Sequence, residues 1–155
     1  MRVCGIDPGA KGAMCVLDSS NPAHTELLDL STVTTFEAAN WLHKQQPDII
    51  YIEHVHSIFG MSAKSNFSFG IAVGGIQTIA LIVKQGQHPK LVTPKVWQKY
   101  VGVTAKGKAI KKNVAELVQS LYPTAIIHGK RGGLLDGRSD AIMLAKYGLE
   151  HEESP

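Results

Sequence analysis

The chain has little cysteine: Cys4 and Cys15 are the only two in 155 residues. Two are too few for a disulfide framework, and both lie in apolar runs, so they are expected to be reduced core thiols in a reducing compartment. No run of 18 apolar residues occurs, and the apolar opening meets an acid at Asp7, so neither a signal peptide nor a membrane span is expected. Repeats and linker-like stretches are missing as well, which leaves one domain of ordinary size, about 100–200 residues. With 44% hydrophobic residues the chain can bury roughly 68–70% of its unfolded surface, so it needs no metal or disulfide to hold it together. The expectation is a soluble, cytoplasmic protein.

Net charge is also small, at +3, but it is segregated: residues 1–83 carry −3, residues 84–131 carry +9 and residues 132–155 carry −3. A basic middle between acidic ends suggests a surface that grips a polyanion beside a pocket that repels one. A solvated lysine face is the plainer reading.

The element order indicates an α/β domain. Met1 to Asp7 is apolar enough for a buried strand, Asp7-Pro8-Gly9 breaks it, and Ala13 to Leu17 reads as its hairpin partner. His24 to Leu30 suits a third strand, Thr35 to Gln46 a helix closed by Pro47, and Asp48 to Glu53 a strong strand. A polar, serine-rich loop from His54 to Asn66 precedes a long apolar helix, about Phe67 to Gln85. Its Gly70, Gly74 and Gly75 would each cost about 1 kcal/mol relative to alanine, which makes sense if another backbone packs close. Leu91-Val92 is a short strand, and Thr93-Pro94 caps a helix holding Trp97 and Tyr100. Ile110, Val114, Leu117, Val118 and Leu121 mark one face of a further helix. The last helix is expected from about Leu134 to Gly148, so the domain occupies residues 1–149 and 150–155 form a frayed acidic tail. The sheet should mix an antiparallel hairpin with parallel partners.

Acids stand where apolar residues are expected. Asp7 and Glu53 each end a strand, and Asp136 and Asp140, four residues apart, share one face of a helix. Four converging carboxylates would repel and raise one another's pKa values unless cations neutralise them. Oxygen-only ligands favour Mg²⁺ or Mn²⁺, and two such ions can clamp the attacking and leaving oxygens of a phosphodiester displacement. Taken singly, Asp7 could be a turn residue and Asp136 an acid at a helix start.

Gly5-Ile6-Asp7-Pro8-Gly9, Ile52-Glu53 and Asp136-Gly137-Arg138-Ser139-Asp140-Ala141 together resemble the RuvC-type Holliday junction resolvases, especially their bacteriophage and chloroplast branch, over residues 1 to about 148. The resemblance implies a ribonuclease H-like fold with a mixed central sheet flanked by helices. It also implies a homodimer, two Mg²⁺ or Mn²⁺ ions per active site, and metal-dependent nicking of four-way DNA junctions. Asp7, Glu53, Asp136 and Asp140 match the family's catalytic, metal-holding acids. In better-known bacterial members the last two acids are three residues apart, not four, and some relatives place His at the position of Asp136. The rival readings are a related nuclease acting on forks or RNA–DNA hybrids, and a junction-binding protein that does not cut. An actin-like ATPase shares the opening motif but would need a second lobe. Nothing in the sequence bears on a helicase partner.

For DNA contact, Phe59 lies where relatives carry a phenylalanine and could wedge into a base step or fold into the core, with Met61 beside it. His54 and His56 extend the strand, but imidazoles suit zinc better than magnesium. Lys64, Ser65 and Asn66 sit at a helix start that could hold a phosphate. Lys95, Lys99, Lys106, Lys108, Lys111 and Lys112 are assigned to the DNA backbone as a group. Lys130, Arg131 and Arg138 are close enough in sequence to the acids to meet the scissile phosphate.

Overall fold

The computed structural model describes residues 1–55 and 60–154. Five strands form one sheet in the order β3-β2-β1-β4-β5. They are β1 (Arg2–Asp7), β2 (Ala13–Asp18), β3 (Glu26–Asp29), β4 (Ile49–Glu53) and β5 (Lys90–Val92). β1, β2 and β3 are antiparallel neighbours, whereas β1, β4 and β5 run parallel, giving the mixed sheet expected.

Alternation along the strands splits the core into two layers. Val3, Ala13, Cys15, Leu17 and Tyr51 face one side, while Cys4, Ile6, Met14, Val16, Ile50 and Ile52 face the other. The second layer is covered by α1 (Thr35–Gln45) and α2 (Ala63–Val83). α1 opens with a capping box, in which the Thr34 hydroxyl accepts from the Glu37 amide and the Glu37 carboxylate accepts from the Thr34 amide. The first layer is covered by α3 (Pro94–Tyr100), α4 (Ile110–Leu121) and α5 (Asp136–Glu153). Cys4 and Cys15 are free and buried in different layers, and burial pushes both thiols up.

Two expectations need correcting. α2 begins at Ala63, four residues earlier than its apolar run suggests, because the Ser62 hydroxyl accepts the Ser65 amide at 3.1 Å and caps it. Residues 150–153, expected to begin a frayed tail, belong to α5, which continues to Glu153. Glu152 holds this end down: its Oε1 accepts the Tyr51 hydroxyl at 2.5 Å and also the Lys90 ammonium. Among the described residues, an added Cβ on Gly70, Gly74 or Gly75 would meet nothing within 4 Å, so no close packing on these glycines is seen within one subunit. α2 is also, by length and composition, apolar enough to cross a membrane, a weak sign in a single helix. Its Ile76, Ile79 and Ala80 are buried in the core, while Phe67, Ile71 and Ile82 are exposed.

Candidate active site

The sheet brings the first two acids together. Ile6 of β1 lies opposite Ile52 of the parallel β4, so Asp7 and Glu53 follow at the same carboxyl-terminal edge, one strand spacing apart. Alternation turns both toward the layer covered by α5, the side of Val3 and Tyr51. The carboxyl ends of parallel strands are where α/β sheets habitually place their ligands.

α5 supplies the other two acids, and missing side chains set its position. A Cβ on Gly5 would stand 2.3 Å from the Ala145 nitrogen and 2.4 Å from the Ala141 carbonyl oxygen, so the helix lies directly on β1. At the helix start, a Cβ on Gly137 would lie 2.2 Å from the Lys11 carbonyl oxygen and 2.8 Å from the Gly12 Cα. Gly137 therefore docks the first turn of α5, with Asp136 and Asp140, against the β1–β2 turn that follows Asp7. That turn is itself tied to the site, because the Gly9 amide donates to Asp7 Oδ1 at 3.0 Å.

The electrostatics register the gathering. Burial raises the Glu53 carboxyl to about 7, helped by the charge of Asp7 and opposed by a hydrogen bond from Trp97. Burial raises Asp140 to about 8, reinforced by Glu53, Asp7 and Asp136 and opposed by Lys111. Asp7 is raised chiefly by burial and also by Asp136, while the Gly9 amide and Lys111 hold it down. Trp97, fully buried on α3, donates its indole N–H to Glu53 Oε1 at 2.8 Å.

Among the described residues no three His, Cys, Asp or Glu side chains close on a common point as they stand. The donor chemistry nevertheless fits a hard divalent cation: every ligand atom is a carboxylate oxygen, and the negative charge exceeds its local compensation. A cation already stands there in another form. The Lys111 ammonium bonds Asp136 Oδ2, and its charge is felt by Asp140 and Asp7.

The basic side chains divide by place. Lys95 and Lys99 on α3, Lys106 and Lys108 in the turn before α4, Lys112 on its first turn, and Lys130 and Arg131 in the loop before α5 are all exposed. Lys112 also reaches Glu116 at 3.8 Å. At the start of α2, Lys64 and Met61 are exposed, while Ser65 and Asn66 serve the cap, with Asn66 Nδ2 donating to the Met61 carbonyl at 3.4 Å. Arg138 is committed elsewhere than the sequence suggests. Its Nε and one terminal nitrogen donate to the two oxygens of Asp29, each at 2.6 Å, and the other terminal nitrogen donates to the Ile126 carbonyl at 2.7 Å. Such a fork-to-fork pair ties α5 to β3 and uses the donors a phosphate would need. Phe59 and His56 lie outside the described residues. A mainly apolar cleft of about 270 Å³ between α1, α2 and the turn at Pro8–Gly9 includes none of the four acids.

Sequence reasoning passed over Trp97 and Gly137 as site residues. Trp97 reads as an ordinary core aromatic, and its one polar atom gives no pattern along the chain. Gly137 could have been noticed, since a glycine inside a helix start, between two acids, costs helix stability without a visible reason.

No protein-family model matches the chain, and no curated protein matches it by sequence. Solved structures do. Thermus thermophilus RuvC in complex with a Holliday junction substrate superposes with a TM-score of 0.63 at 17% identity, covering 98% of this chain and 95% of that one. A second Thermus thermophilus RuvC structure gives 0.62 at 20% identity, covering 97% of each. Fowlpox virus resolvase, in complex with Holliday junction DNA, gives 0.56 at 18% identity over 99% of this chain and 100% of that one. The likeness spans nearly the whole chain, and the protein has the fold of the RuvC-type Holliday junction resolvases, in the ribonuclease H-like class.

Proposed function

We propose that the protein is a metal-dependent, structure-selective DNA endonuclease that resolves four-way junctions, acting as a homodimer in which each subunit nicks one of two opposed strands. The observation that supports this reading is that Asp7 and Glu53 at the strand ends and Asp140 on α5 are each raised by burial and by the charge of neighbouring acids, Asp136 among them. A protein that only bound DNA would gain nothing by setting four anions beside phosphates. The four acids would hold Mg²⁺ or Mn²⁺, and two such ions, when bound, supply an activated water and charge stabilisation at the departing 3′ oxygen.

The chain's own groups contribute the rest. The exposed Lys95, Lys99, Lys108 and Lys112 neutralise backbone phosphates without reading sequence. Lys111, bonded to Asp136, stands where the scissile phosphate and the acids would meet. Burial of Glu53 and Asp140 keeps bulk water from screening the site's charge. Pairing of two copies is supported by α2. From Ser65 to Val83 it carries no ionisable side chain, and Phe67, Ile71 and Ile82 lie exposed at helical spacing beside the open Gly74.

The test offers a synthetic four-way junction, a fork and an RNA–DNA hybrid, each with Mg²⁺, to the wild-type protein and to Asp7→Asn. Wild type is expected to nick the junction in preference, and Asp7→Asn to bind it without cutting. Normal cutting by Asp7→Asn, or a preference for fork or hybrid, would overturn the reading.

A further inference from the structure

We infer that Trp97 is a positioning residue for Glu53, its indole N–H pinning one carboxylate oxygen so that the other is presented to a bound cation. The inference rests on the metal reading above and extends it to a residue outside the acidic set. Trp97 is fully buried, Glu53 is 8% exposed, and their 2.8 Å bond runs from the only polar atom of the indole to Oε1. Among the described residues no other side chain donates to Glu53. Each group satisfies the other: a buried indole N–H needs an acceptor and a buried carboxylate needs a donor.

The route by which the pair forms is visible in the chain. Glu53 of β4 lies opposite Val92 of β5, and the His54 amide donates to the Val92 carbonyl at 2.8 Å. Thr93 then turns the chain into α3, which starts on Pro94, and the first turn of that short helix delivers Trp97 back to the strand end. The ring is wedged in the core layer with Val114 and Val118, so it cannot swing as a lysine or serine would. Its chemistry also matters. A cationic donor at this place would compete with the metal for the carboxylate, whereas a neutral N–H fixes the oxygen and leaves the site's negative charge intact. Partners of this kind, which orient a metal-holding group without touching the ion, typically account for 10–100-fold in metal affinity.

The test replaces Trp97 alone by β-(3-benzothienyl)alanine, which keeps the ring shape but has sulfur in place of N–H, with Trp97→Phe as a second variant. Mn²⁺ binding to the DNA-free protein is followed by electron paramagnetic resonance of free Mn²⁺, with thermal melting as a check on the fold and kcat and KM measured separately. The isostere is expected to melt like wild type, bind Mn²⁺ about tenfold more weakly, and lose kcat with KM unchanged. Unchanged Mn²⁺ affinity in a folded isostere would overturn the inference and leave Trp97 as packing. Absence of Mn²⁺ binding by wild type would instead overturn the metal reading, and the inference with it.

Discussion

Without metal, the protein should lose stability as pH rises from about 5 to 8. Glu53 is 8% exposed and its carboxyl is raised from 4.5 to about 7. Between those values the folded chain keeps a proton that the unfolded chain releases, so stability present below pH 4.5 declines as pH climbs through the folded value. At 1.36 kcal/mol per pH unit, the Glu53 contribution is about 3 kcal/mol. Asp140, raised from 3.8 to about 8, acts with the same sign and extends the decline to the top of the window. Asp18 and Glu37 are held low by hydrogen bonds from Ser20 and Thr34, so they act only in acid, outside this range. For a chain of this length 1 kcal/mol moves Tm by about 2–4 °C, so Glu53 alone predicts a fall of roughly 6–12 °C. Melting followed by circular dichroism in EDTA across pH 5 to 8 reads it directly. Glu53→Gln should flatten the slope, and Mn²⁺ should raise Tm most at pH 8, where the acids are already ionised. A midpoint that stays level or rises with pH in EDTA would refute the reasoning.

Gly137→Ala places a methyl 2.2 Å from the Lys11 carbonyl oxygen, backbone against backbone, so it should cost about 1–3 kcal/mol in urea unfolding and depress kcat by moving Asp136 and Asp140. Gly74→Ala meets nothing among the described residues, so the isolated helix should gain up to about 1 kcal/mol while sedimentation shows a weaker dimer. Arg138→Met leaves Asp29 without its two-pronged partner and should cost about 1–3 kcal/mol, with junction affinity unchanged. Lys108→Ala should do the reverse, lowering affinity and reducing the salt slope by about 1 without changing Tm.

The fold was legible where period and punctuation agreed. β1 and β4 are apolar runs ended by an acid, and Asp7-Pro8-Gly9 marks the turn to β2, so the three central strands could be read directly. The acids were legible for the same reason: a carboxylate closing a buried strand breaks the hydrophobic pattern and asks for an explanation. What escaped depends on partners distant in sequence. Residues from Glu150 onward look like a loose acidic tail until Tyr51 and Lys90, far back in the chain, are seen to hold Glu152. Arg138 sits between two acids and looks like a phosphate ligand until β3 brings Asp29 beneath it. Serines before an apolar helix suggest a loop, although Ser62 is its cap. Trp97 and Gly137 act through one N–H and one missing methyl group, and neither leaves a periodic trace.

Cleavage of a synthetic four-way junction, mapped at nucleotide resolution with Mg²⁺ and then with EDTA, bears hardest on the convergence of Asp7, Glu53, Asp136 and Asp140. Paired nicks on two opposed strands, present with Mg²⁺ and abolished by EDTA, are expected. Nicking that persists undiminished in EDTA, or an intact junction with Mg²⁺ at saturating protein, would contradict it.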